Sequence, residues 1–285
     1  MIHRQPKPPK AYKDMEFLNS PDARVVRMVS EFLEPQQRFR KAAIKDSIVL
    51  FGSARIQPRH ETLAVLRKVE SSLRKVVRPT KQQLLELRTA EVRVEMSRYY
   101  EDAVELARLL GSWTKKMTSP RRFVIMSGGG PGIMEAANKG ATLAGAKSIG
   151  MNISLPYEQF ANGYVSKGLN FEFHYFFMRK FWFVYLSKAL VVFPGGFGTM
   201  DEMMEVLTLL QTEKITKKLA VILYGREFWN SVLNFDQLVL RGMIKQEDLN
   251  LVHFMDTPEE AFRYLKSFLS KVYLDDGSDG TSTSE

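Results

Sequence analysis

The stretch ALVVFPGGFGTMDEMMEVLTLLQ, residues 189–211, decides the fold. Five apolar residues are followed by Pro-Gly-Gly-Phe-Gly-Thr and then by a run with helical spacing. A near-continuous apolar strand is one covered on both faces, as in a parallel sheet. Glycines after it let the backbone approach a ligand closely, and the free N–H groups of the next helix point at that turn. The same order recurs at 122–144, where RFVIMSG runs through GGPG into IMEAANKGATLA. Outward from these two units, SIVLFG at 47–52, SIGMNI at 148–153 and LAVILY at 219–224 read as further strands, with LVHFM at 251–255 as a sixth candidate. Helical segments follow at 131–144, 199–212, 227–241 and 258–271. Strand then helix, repeated, predicts an α/β fold: a Rossmann-like, doubly wound parallel sheet with right-handed crossovers.

Three regions lie outside this rhythm. Residues 1–46 form an N-terminal section: 1–19 are expected to lack regular structure, and a helix is expected from about 22 to 41 with Val25, Val26, Val29, Phe32 and Leu33 on one side. Residues 47–274 are expected to make a single Rossmann-like domain. Within it, 59–116 supply more helix than one crossover needs. Leu63, Leu66, Val69 and Leu73, then Leu84, Leu87, Val94, Val104 and Leu109, recur at helical spacing, and Pro79 interrupts them. The expectation is an inserted helical hairpin, a packing or oligomer element. The acidic stretch 275–285, DDGSDGTSTSE, has the composition of a disordered tail.

Composition narrows the chemistry. With 285 residues, 45% hydrophobic and 26% charged, the chain reads as a soluble globular protein. The longest apolar run, 181–193, is broken by Lys188 and falls short of the roughly 18 residues of a membrane span. MIHRQPKPPKAYKD has no apolar core, so no secretory leader is expected there, and a cytoplasmic location fits. The absence of cysteine removes disulfides, thiolate metal sites and thiol nucleophiles. The net charge of +9 raises nucleic acid as a partner. Its excess, however, is spread over the N-terminus and over 59–95, with nine basic and five acidic residues, and no aromatic-interleaved basic motif accompanies it. An anionic small ligand or a solvated basic surface is the better reading.

Ligands of open parallel sheets sit beyond the carboxyl ends of the strands. Three such ends carry small residues here: Gly52-Ser53, then Gly128 to Gly132 with Gly129, Gly130 and Gly132 as phosphate candidates, then Gly195, Gly196, Phe197, Gly198 and Thr199. Thr199 is placed to cap its helix or to offer its hydroxyl to a phosphate. The spacing is neither a Walker A sequence nor a dinucleotide fingerprint, which favours a mononucleotide. Asp201, Glu202 and Glu205 follow in the first turns of the helix. They either complement the helix dipole or engage a ribose hydroxyl or an attacking water. Arg179 and Lys180 interrupt an aromatic segment, FHYFFMRKFWFVY, and either face an anionic ligand or snorkel to solvent.

These residues carry a resemblance. SGGGPGIMEAANKGA and FPGGFGTMDEMMEVLTLLQ resemble the Lonely Guy (LOG) family, whose hallmark P-G-G-x-G-T-x-x-E is matched by Pro194 to Glu202 and preceded by the Arg179-Lys180 pair. Gly52-Ser53 and LPYEQFANGY are similar to its longer bacterial branch, and the likeness runs from about 47 to 255. The resemblance implies a Rossmann-like fold that hydrolyses the N-glycosidic bond of a nucleoside 5′-monophosphate, AMP or a cytokinin riboside 5′-monophosphate, to free base and ribose 5-phosphate. It implies catalytic roles for Arg179 and Glu202. Its nucleotide contacts fall on Glu158, Lys180, the loop Gly196, Phe197, Gly198, Thr199, Met200, Asp201 and Glu202, and Thr208. It also implies a homodimer or higher homo-oligomer, with neither cofactor nor metal. The inserted helices depart from the family pattern. A rival reading keeps the same loops without turnover, as a nucleotide or cofactor carrier; related folds bind molybdenum cofactor.

Overall fold

The computed structural model describes residues 7–74, 76–117, 120–156 and 160–275. Seven strands form one sheet: β1 Ser47–Phe51, β2 Val124–Ser127, β3 Ser148–Ile153, β4 Asn170–Phe173, β5 Ser187–Val192, β6 Ala220–Tyr224 and β7 His253–Met255. Their order is β4-β3-β2-β1-β5-β6-β7, with every neighbouring pair parallel. The helices are α1 Met15–Asn19, α2 Arg24–Lys41, α3 Arg59–Leu73, α4 Lys81–Met96, α5 Arg98–Thr114, α6 Ile133–Leu143, α7 Phe176–Leu186, α8 Phe197–Gln211, α9 Arg226–Val232, α10 Phe235–Leu240 and α11 Pro258–Ser270.

The expected doubly wound architecture is present. From β1 the chain steps outward through β2 and β3 to the edge strand β4, then returns along α7 to β5 on the opposite side of β1. The winding therefore reverses between β1 and β5, and a crevice opens at their carboxyl ends. Two apolar layers hold the sheet. On one face, Ile48, Leu50, Ile125 and Val191 pack with Leu106 of α5, Ala136 of α6 and Leu265 of α11. On the other, Val49, Met126, Leu190 and Val221 pack with Trp182 of α7 and Met203 of α8. The central strands β1, β2 and β6 are buried at every residue and β5 at every residue but Lys188, which is why they read as near-continuous apolar runs.

Several expectations are corrected. Residues 11–19 are not irregular: a 3-10 turn at Ala11–Lys13 leads into α1, where Asp14 accepts hydrogen bonds from the N–H groups of Glu16 and Phe17, both at 3.1 Å. A seventh strand, β4, pairs with β3 at the sheet edge. The single helix expected at 227–241 is two, because the backbone turns extended at Leu233. The region 59–116 is a hairpin, α3 and α4, followed by α5, which is the true crossover between β1 and β2. Only Thr62 of α3 and Ala90 of α4 are buried, whereas eight residues of α5 are. The stretch 276–285 lies outside the described residues.

The end of the sheet remote from the crevice is locked by Asp46, which is 1% exposed. It accepts from Arg122 Nε at 2.7 Å and from the Phe123 N–H at 2.5 Å. Removing one partner of a buried ion pair strands the other charge, at roughly 3 kcal/mol or more. We therefore expect Asp46→Ala to lower unfolding stability by about 3 kcal/mol in urea titrations followed by tryptophan fluorescence. A loss below about 1 kcal/mol, the level of an exposed pair, would remove Asp46 from this role.

Candidate active site

The three glycine-bearing strand ends meet, and backbone hydrogen bonds stitch them together. Ser53 N–H donates to the Pro194 carbonyl at 3.0 Å, and Ile133 N–H donates to the Ser53 carbonyl at 3.1 Å. The loop after β1 is thus tied to the loops after β5 and β2 at once. Glycine is obligatory at Gly132: its φ is +69°, and a Cβ there would lie 2.3 Å from the Ser53 carbonyl oxygen. At Gly195 a Cβ would lie 2.1 Å from Thr199 Oγ1, so the glycine gives Thr199 room to fold back over the turn.

Helix α8 starts earlier than its sequence suggests. Its N-cap is Gly196, with no side-chain cap, so Thr199 stands at the third helical position and does not cap it. The first N–H groups of an α-helix have no partner within it, and here they open onto the crevice. The same shift moves the acids: no acidic residue lies in the first turn of α8, so the dipole account of Asp201, Glu202 and Glu205 does not apply.

Those acids are held by the cations of α7 instead. Arg179 Nη2 donates to Glu202 Oε1 at 3.2 Å, with side-chain exposures of 14% and 6%. Lys180 Nζ lies 2.7 Å from Asp201, 2.9 Å from Glu205 and 4.0 Å from Glu202. The Arg179 guanidinium also sits 5.3 Å from the ring of Phe176 and 5.5 Å from that of Phe183, so one side of it is walled by aromatics. Neither cation snorkels to solvent, and neither is reserved for an anion. Two cations face three carboxylates.

Burial sets the electrostatics. It pushes the Glu202 carboxyl up to about 7, outweighing the opposing pull of Arg179 and Lys180, while Glu205 and Asp201 add to the rise. Burial also lowers Arg179 from its ordinary value, with Glu202 acting the other way. Lys180 is raised: burial works against its charge, and its hydrogen bonds to Asp201 and Glu205 prevail. A carboxyl that titrates near neutrality in a crevice is equipped to accept and return a proton.

The remaining candidates divide. Gly52, Ser53, Gly129, Gly130, Gly132 and Gly195 line the joined loops, with Gly196, Phe197, Gly198 and Met200 at the start of α8. Thr208 does not join them. It lies further along α8, about 14 Å from Thr199 at 1.5 Å per residue, with its hydroxyl donating to the Met204 carbonyl at 2.8 Å. Glu158 lies outside the described residues. The sequence reading missed the sharing of Lys180 between Asp201 and Glu205, since no spacing within one element reveals a contact between two. It also left the inserted helices without a place. Val92, Arg93 and Met96 of α4 wall a cavity of about 520 Å³ whose opposite side is Arg55, Gly132 and Glu135, so the insertion shapes the flank of the glycine loops. Among the described residues no cluster of His, Cys, Asp and Glu is arranged to hold a metal, and no helix is long and apolar enough to cross a membrane.

Residues 134–265 match the family profile described as "Possible lysine decarboxylase". A probable cytokinin riboside 5′-monophosphate phosphoribohydrolase of Oryza sativa subsp. japonica is 32% identical over 84 residues, which is 29% of this chain and 39% of that protein. A cytokinin riboside 5′-monophosphate phosphoribohydrolase of Arabidopsis thaliana is 29% identical over 86 residues, 30% of this chain and 40% of that one. The match thus spans under half the length of these relatives. Among solved structures, a structural-genomics target is 21% identical with a TM-score of 0.45, over 78% of this chain and 99% of its own. The molybdenum cofactor carrier protein from Chlamydomonas reinhardtii is 23% identical with a TM-score of 0.40, over 60% and 90%. Likeness at that level says nothing of what this chain binds.

The raised Glu202 has a consequence for stability. In the unfolded chain this carboxyl ionises near its ordinary 4.5. Between that value and about 7 the folded protein holds the proton that the unfolded chain has released, so stability falls as pH rises through the window. We expect unfolding free energy, measured from pH 4 to 8, to decline through this window in the wild type relative to Glu202→Gln. A constant difference between the two would contradict the assignment.

Proposed function

We propose that the chain, which matches the family profile through residues 134–265, is a Lonely Guy family protein and hydrolyses the N-glycosidic bond of a nucleoside 5′-monophosphate. The products are the free base and ribose 5-phosphate, and the substrates to try first are AMP and cytokinin riboside 5′-monophosphates. The observation that carries the reading is the buried Glu202–Arg179 pair at the crevice between β1 and β5. A site that only holds a nucleotide has no need of a desolvated carboxyl near neutrality.

In this reading the 5′-phosphate is received by backbone N–H groups of the glycine loops and the start of α8. Lys180 is already engaged by Asp201 and Glu205, so it fixes the acids and contributes charge without being the main phosphate contact. The ribose lies over Glu202. Ionised Glu202 orients a water against C1′ or binds the ribose hydroxyls, and its negative charge stabilises the oxocarbenium character that develops as the C1′–N bond breaks. The water oxygen bonds to C1′ as the C1′–N bond breaks, and the water's proton passes to Glu202; the base leaves with the electron pair of that bond and takes a proton from solvent, and Glu202 returns its own proton to solvent. Arg179 is a poor acid at neutral pH. It holds Glu202 in place and keeps it accessible to ionisation. The chain acts as a homodimer or higher homo-oligomer in this proposal, and 47–274 is its one nucleotide-binding domain.

Incubation with a panel of nucleoside monophosphates, with free base separated by chromatography, tests the reading. We expect base release from at least one of them. Glu202→Gln and Arg179→Ala should each reduce it by about 100-fold or more, the usual scale for a positioned acid–base or charge-stabilising group. Near-wild-type release by both variants would refute the mechanism. Tight AMP binding without any release would favour the carrier.

A further inference from the structure

We propose that Asn162 is a positioning residue for this reaction: it locks the glycine loop after β2 so that the Gly130 N–H is presented to the anionic group of the substrate. The inference rests on the hydrolase reading and concerns a residue to which the family resemblance gives no role.

Asn162 lies between β3 and β4, and its amide reaches across to the loop. Its Nδ2 is 2.9 Å from the Gly129 carbonyl, 3.0 Å from the Gly130 carbonyl and 3.0 Å from Asn138 Oδ1. Its backbone N–H adds a fourth bond, to the Gly129 carbonyl at 2.8 Å. Asn162 Oδ1 accepts from the Tyr164 N–H at 3.1 Å, which fixes the orientation of the amide. The third partner is an anchor. Asn138 and Ser127 are both 0% exposed, Ser127 Oγ lies 2.7 Å from Asn138 Oδ1, and the Gly129 N–H donates to Ser127 Oγ at 3.1 Å. One side chain thus ties two consecutive glycine carbonyls to a buried polar pair.

The peptide plane supplies the rest. In a trans peptide the carbonyl of one residue and the N–H of the next point in opposite directions. Holding the Gly129 carbonyl against Asn162 therefore turns the Gly130 N–H away from it. Gly130 is buried, and its N–H makes no hydrogen bond among the described residues. A buried donor left unpaired is costly, and an oxygen of a bound anion is a partner that would satisfy it. The Gly130 carbonyl is held on the Asn162 side as well, and Pro131 after it has no N–H to offer. The loop therefore aims one donor, and Asn162 determines where. Gly129 has no freedom to re-aim it by acquiring a side chain, because its φ is +76° and a Cβ would lie 2.6 Å from Asn152 Oδ1.

Asn162→Ala frees the Gly130 carbonyl and the link to Asn138, and leaves the Gly129 carbonyl held by the backbone N–H of residue 162 alone. Asn162→Asp keeps the shape but sets carboxylate oxygens against three acceptor oxygens, so it should be at least as damaging. Asn162→Gln retains an amide donor and should recover part of the loss. We expect KM for AMP to rise by on the order of tenfold in Asn162→Ala, with kcat within about twofold, because substrate and transition state lose the same contact. Hydrogen exchange across 126–134 should be faster in Asn162→Ala than in the wild type. A lowered melting temperature with unchanged KM and unchanged exchange would make Asn162 merely structural and overturn the proposal. If the wild type releases no base, the hydrolase reading fails on its own. Calorimetric binding of AMP, with the same exchange measurement, then decides the clamp: weaker binding and faster exchange in Asn162→Ala sustain it, and equal exchange refutes it.

Discussion

Keeping a carboxylate out of water is unfavourable unless opposite charge accompanies it, and the crevice of this protein is arranged around one such group. Glu202 is 5% exposed, and the cations that make its burial tolerable come from a different helix. That helix, α7, is the return crossover from the edge strand β4 to the centre of the sheet. Arg179 and Lys180 are therefore beside α8 because the winding reverses between β1 and β5. A fold wound in one direction would have no such crossing. Burial still outweighs the pairing, and the carboxyl comes to rest near neutrality.

The charge balance of the site reassigns the work of its parts. Arg179 and Lys180 together face Asp201, Glu202 and Glu205, so these five groups sum to −1 when Glu202 is ionised and to zero when it is protonated. Such a set does not attract a phosphate by net charge. In the proposed function the glycine loops receive it, through N–H groups held by the contacts among Ser53, Pro194 and Ile133 and by the amide of Asn162. On that proposal the phosphate and the sugar answer to separate machinery: backbone dipoles hold the first, and a charge network addresses the second.

The central strands were legible because burial on both faces confines their polar residues to the strand ends, as at Ser47, Ser127, Ser187 and Lys188. β4 was not, because NFEF at the sheet edge alternates exposed and buried residues over only four positions. The glycine turns announced the crevice, yet the start of α8 was misplaced. Thr199 is a good cap by type, but Gly196, three residues earlier, already adopts the capping position. The break at Leu233 between α9 and α10 carries no proline or glycine to mark it. Arg179 and Lys180 were conspicuous as charges in an aromatic run, and what they touch was hidden, since contacts between α7 and α8 depend on the crossover. For the inserted hairpin, apolar spacing foretold helices but not that α4 would flank Gly132.

The central claim is that Glu202 is desolvated enough to titrate near neutrality while bonded to Arg179. Carbon-13 NMR of the protein labelled at the glutamate side-chain carboxyls, with Glu202 assigned by comparison with Glu202→Gln, measures this directly. The account requires a titration midpoint near 7 for that resonance. A midpoint at or below the ordinary 4.5 would show that the cations, and not burial, control the group, and the proposed proton acceptor would be lost.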